Sequence, residues 1–90
     1  MYEFRWNEWN VEHIAAHGVL PAYAEYVVNR PDRGYPQRGE EGKYLVRGQD
    51  QTGTYVQVMY IFDPPGVVYV IHARRLTDIE KRRLRRRRRR

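Results

Sequence analysis

KYLVRGQDQTGTYVQVMYIFDPPGVVYVIHARR, residues 43–75, holds three runs of β-branched and aromatic side chains separated by two turn signals. Lys43–Gly48, Thr54–Phe62 and Val67–Arg75 read as strands, because such side chains pack well on a pleated surface. Asp50-Gln51-Thr52-Gly53 and Asp63-Pro64-Pro65-Gly66 carry the Asp, Pro and Gly that turns use. Connections this short join neighbouring antiparallel strands, so the stretch is expected to be a three-stranded meander.

Upstream, Tyr2, Phe4 and Trp6 alternate with Glu3 and Arg5, the pattern of a short half-buried strand. Asn7 offers an N-cap and Glu8 sits in the first turn of a helix-compatible stretch to Ala16. His17 and Gly18 suit its end. Pro21 opens a second helix, although Leu20 before it has no capping acceptor. That helix is expected to reach about Asn29, where Arg30-Pro31 stops it. Pro31–Gly42, with two prolines and three glycines, is the clear loop. Downstream, Thr77 and Glu80 have capping-box spacing and start a last helix. The fold class is therefore α+β: a short N-terminal strand, two helices, a three-stranded antiparallel meander and a C-terminal helix. A single domain is expected over residues 1–84, followed by an arginine tail, 85–90, that is disordered or a fraying helix because like charges repel.

Ninety residues leave room for one domain. Residues 74–90 carry eleven basic and two acidic side chains, a balance of +9, so residues 1–73 carry −3. The basic excess that points to a polyanion partner thus sits at one end. With no cysteine, a disulfide scaffold, a thiol nucleophile and a thiolate zinc site are excluded. With no serine, serine hydrolysis is excluded too. There is no phosphate-binding P-loop or dinucleotide fingerprint. The Glu40-Glu41 pair lies in the loop, where neighbours point apart and solvated charge is the expected reading. No apolar run approaches the ~18 residues of a membrane span and no signal-peptide pattern opens the chain, so a cytoplasmic protein is expected.

Two groups of residues could carry chemistry. On the third strand, Val68, Val70, His72 and Arg74 are expected on one face and Val67, Tyr69, Ile71 and Ala73 on the other. Arg74 offers a planar fork of donors suited to phosphate, and His72 exchanges a proton near neutral pH. The plainer reading is a strand end reaching solvent. On the first helix, Trp9, Asn10, His13 and His17 fall within an arc of about 100°. Two imidazoles four residues apart could share a metal, but no third ligand is apparent. More often such histidines pack beside tryptophans and donate a hydrogen bond, and proton transfer is a further reading.

Phe4-Arg5-Trp6-Asn7-Glu8-Trp9-Asn10, His17-Gly18-Val19, Tyr44-Leu45-Val46-Arg47-Gly48-Gln49, Gly53, Ile71-His72-Ala73-Arg74-Arg75-Leu76-Thr77 and Glu80-Lys81-Arg82 occur in this order. Together, across roughly residues 4–83, the chain resembles the BrnT-like toxin family of bacterial type II toxin–antitoxin systems. The resemblance implies a RelE-like α+β fold, metal-independent endoribonuclease activity on single-stranded RNA, and no cofactor. It also implies a small antitoxin, encoded nearby and of ribbon-helix-helix type; a homodimer stays open. The family's strand arginine, last-helix acid and His-Gly-Val histidine match Arg74, Glu80 and His17. Four positions depart: the usual helix lysine is Asn10, a strand Ser or Thr is His72, a terminal aromatic is Leu84, and the residue before the second helix is Leu20.

RNA cleavage without a metal needs a base for the 2′-hydroxyl, a cation for the phosphate and an acid for the leaving oxygen. The expected cation is Arg74, with Arg47 or Lys43 beside it; Glu80 or His72 is the expected base or acid, and His17 a further candidate. Tyr60 or Tyr69 could stack on a base, and Arg75, Arg82 and Arg83 could hold the backbone. Glu80 could instead serve only its capping box. A non-catalytic RNA- or ribosome-binding module and a protein-interaction module are the alternatives.

Overall fold

A computed structural model describes residues 1–88 of the chain. Its elements in order are β1 (Phe4–Arg5), α1 (Glu8–Ala15), α2 (Pro21–Asn29), β2 (Gln37–Arg38), β3 (Tyr44–Gln49), β4 (Tyr55–Asp63), β5 (Val67–Arg75) and α3 (Asp78–Arg88). Among the described residues they form a five-stranded sheet in the order β1-β5-β4-β3-β2 with three helices, an α+β domain. The meander β3-β4-β5 is antiparallel as expected. Asp50 builds its first turn by accepting from the backbone N–H groups of Thr52 and Thr54, and Gly53 takes the positive φ of 86° that the turn requires.

Two features of the sheet differ from expectation. The first is that β1 lies parallel to β5, with Phe4 opposite Val68 and Arg5 opposite Tyr69, so the sheet is mixed. Connectivity is the cause: between them the chain passes through two helices and the rest of the sheet, long enough to return in the same direction. The second is that Gln37–Arg38, inside the expected loop, pairs with Leu45 and Tyr44 and adds the strand β2. These two residues have no strand pattern of their own; the open edge of β3 recruits them.

One face of the sheet makes the core. Val46, Val56, Val58, Tyr60, Val68, Val70 and Ala73 pack there against Ile14, Val19, Ala24, Val27 and Val28 of the α1–α2 segment. Each buried valine contributes about 1.5–3 kcal/mol relative to exposure. Between β4 and β5 the register shifts: Tyr60 faces Val70 but Met59 faces His72, leaving Ile71 as a bulge. The bulge reverses the alternation. Val68 and Val70 point into the core, whereas His72 and Arg74 share the opposite face with Tyr69, a correction to the simple period-two reading.

The α1 segment is tied to this edge by Asn10. Asn7 and Asn10 form a reciprocal capping box at 3.1 and 2.8 Å. The Asn10 side chain is fully buried and its Nδ2 donates to the carbonyls of Arg5 and Val70 at 3.2 and 3.1 Å. At the other end, α3 continues past the boundary expected at Leu84. Leu84 is buried, and Arg87 donates to the Tyr35 hydroxyl at 3.2 Å. Of the arginine stretch expected to be disordered or fraying, residues 85–88 continue α3, and residues 89–90 lie outside the described residues. Among the described residues, no helix is long and apolar enough to cross a membrane.

Candidate functional site

The non-core face of β5 presents Tyr69, His72 and Arg74 in succession, and two separate polar groups form around them. The first is an imidazole cluster. His13 and His17, on and just after α1, reach His72 on β5. Ring centroids are 5.0 Å apart for His17–His72, 5.7 Å for His13–His72 and 6.3 Å for His13–His17. His13 and His17 are exposed and His72 is half-buried. Burial, then the neighbouring His17, His13 and Arg74, holds the His72 imidazole below its ordinary pKa of 6.5. His72 is therefore neutral at pH 7 and able to accept a proton. Trp9 continues the cluster outward: it stacks on His13 with centroids 4.9 Å apart and planes 9° apart.

The second group centres on Glu80. Arg74 Nη1 and Nη2 donate to its two carboxylate oxygens, each at 2.8 Å, and Arg47 Nη2 donates to Oε2 at 2.9 Å. Gln57 accepts from Arg47 Nε at 2.9 Å and from Arg74 Nη2 at 3.4 Å. Glu80 also completes the expected capping box with Thr77, accepting from its N–H at 2.8 Å while Thr77 Oγ1 accepts from the Glu80 N–H at 3.2 Å. These donors, Arg74 foremost, pull the Glu80 carboxyl down to about 2. It stays ionised and neither gives nor takes a proton near neutrality, so it acts here by positioning the two arginines. The same hydrogen bond to Glu80 raises the Arg74 pKa.

The sequence-predicted residues thus divide. His72 and His17 meet, and Arg74, Glu80 and Arg47 meet. Lys43 does not join: it lies just ahead of β3, four residues before Arg47 and about 13 Å away at strand rise, beside Glu41 at 3.9 Å. Arg75 does not join either; strand alternation turns it to the other side, where its guanidinium lies over Gly18. Arg82 and Arg83 are exposed on α3. Tyr60 is a core residue, 1% exposed, its hydroxyl pushed up to about 12 by burial, so it is no stacking platform. Tyr69 is half-buried, with its hydroxyl donating to Asn7 Oδ1 at 3.3 Å.

Sequence reasoning left His13 open between a metal pair, packing beside the tryptophans and proton transfer, and gave Trp9 no functional role. The signal was present in the shared helical arc of Trp9, His13 and His17; the missing information was the bulge that turns His72 toward them. Asn10, read as the loss of a cation, is a buried fastener instead. Among the described residues, no group of three or more His, Cys, Asp or Glu is arranged to hold a metal ion. No protein-family model matches the chain, and no curated protein matches it significantly.

Proposed function

We propose that this chain is the toxin of a bacterial type II toxin–antitoxin pair, a BrnT-like, metal-independent endoribonuclease of the cytoplasm, neutralised by a small antitoxin of ribbon-helix-helix type. The observation that carries the reading is the convergence of three imidazoles beside a guanidinium at one sheet edge. Such a set supplies a base and an acid on either side of a phosphodiester. In the proposed step, neutral His72 takes the proton of the 2′-hydroxyl as that oxygen attacks phosphorus. His17 gives a proton to the departing 5′-oxygen, leaving a 2′,3′-cyclic phosphate and a 5′-hydroxyl. One carboxylate against two guanidinium groups leaves the Arg47–Glu80–Arg74 trio with one net positive charge, which favours a phosphate close by.

One observation favours a second reading, a non-catalytic RNA-binding module. Arg74 commits both terminal nitrogens to Glu80, which itself moves no proton. Two of the four expected catalytic residues are then scaffold.

The test is RNA cleavage by the purified protein in the presence of a chelator, with the product ends identified, alongside growth after induced expression. The toxin reading expects cyclic-phosphate ends and growth arrest, both lost in His72→Asn. A folded protein that binds RNA without cutting it gives the second reading instead. Removal of residues 85–90 then lowers the salt slope of single-strand binding by at most about 4, at about 0.7 for each charge.

A further inference from the structure

Trp9 is 54% exposed, yet it is held in an ordered stack. The Arg5 guanidinium lies 4.2 Å from the Tyr69 ring centroid. Tyr69 and Trp9 follow, 6.4 Å apart and within 15° of parallel, and then Trp9 and His13. Arg5 is in turn fixed by Asp63, and Tyr69 by Asn7. The indole is thus oriented by its neighbours, while just over half of the residue stays exposed to solvent. His13 carries the ring contacts onward from Trp9 to His72 at 5.7 Å.

Charge around the indole is asymmetric. At 100° per residue along α1, Glu8 and Glu12 lie about 100° and 60° to one flank of Trp9, while His13 lies about 40° to the other, with His17 just beyond the helix end. A polyanion is therefore steered to the histidine flank, toward His72 and Arg74, and away from the acidic flank.

We propose that the exposed part of Trp9, held in place by its contacts with His13 and Tyr69, is a stacking platform for one nucleobase of a single-stranded nucleic acid whose adjoining phosphate lies over the imidazole cluster. This rests on the nucleic-acid reading above and adds the subsite that grips the strand. Stacking needs only the π-face every base has, so the platform holds a strand without reading its sequence. Arginine over the far end of the stack adds cation–π stabilisation to Tyr69.

The test uses a short fluorescent deoxyoligonucleotide, which lacks the 2′-hydroxyl and is not cleaved by the proposed step. Binding to the full chain is read by anisotropy at about 0.3 M salt, where the screening length is below about 8 Å and the arginine helix counts for less. Trp9→Ala is expected to weaken binding about tenfold, and Trp9→Phe to restore most of it. An abasic strand of equal length is expected to bind wild type and Trp9→Ala alike. Equal binding of the base-bearing strand by wild type and Trp9→Ala overturns the platform. So does an equal loss for base-bearing and abasic strands, or no binding by wild type. Because the probe is not cut, the platform can survive a failure of the ribonuclease reading, and the reverse also holds.

Discussion

The imidazole cluster and the Glu80 network occupy the same face of the sheet, on residues two apart along β5, and they are built on opposite plans. Around Glu80 every strong charge meets an opposite one: two guanidiniums grip one carboxylate, and the capping box binds it again. Around His72 three groups that all become positive crowd together, with Arg74 adding a fourth positive influence. A closed network stabilises the fold and holds α3 on the sheet. A crowd of like titratable groups has no such benefit, and proteins place such crowds where a proton or an anion is to be handled. The comparison moves the weight of the site from the arginine and acid that the family resemblance nominated to the histidines.

The largest expected effect is on the histidine side. His72→Asn should lower RNA cleavage by about 10²–10⁴-fold with the melting temperature essentially unchanged. Undiminished cleavage would sink the proton-transfer role.

Asn10→Ala should come next. It removes both buried carbonyl contacts and half of the capping box, leaving unsatisfied groups and a cavity. A loss of about 3 kcal/mol is expected, lowering the melting temperature by about 12–24 °C in a domain this small, with cleavage falling as α1 loosens from β5. If stability holds but cleavage falls, Asn10 belongs to the site and not to the scaffold.

Glu80→Gln should cost about 2 kcal/mol through the weakened cap and the two unpaired guanidiniums. It should also raise the salt slope of single-strand binding by about 0.7, because one net positive charge is gained. A large gain in cleavage would instead mean that Glu80 masks a phosphate site.

The pH dependence separates the two groups by titration. The His72 pKa is lower folded than unfolded, so its contribution is complete above pH 6.5 and is lost as pH falls below that value. The Glu80 contribution is complete above about 4.5 and is lost as pH falls toward about 2. Urea titrations across this range should show the upper step vanish in His72→Asn and the lower one in Glu80→Gln.

Local chemistry made much of this legible in the sequence. The meander, its Asp50 turn, the Asn7 and Thr77 caps and the uncapped start of α2 at Leu20 all follow from contacts within a few residues. The partners of the candidate residues were not legible. The bulge at Ile71 depends on how β4 registers with β5, and it alone decides whether His72 faces the core or the histidines of α1. The parallel return of β1, the recruitment of β2 and the capture of Arg74 by Glu80 are likewise long-range pairings. Local sequence sets which groups are available, because propensity and capping act over one turn of chain. Tertiary structure sets which of them meet, because register and burial are decided by strands far apart in sequence.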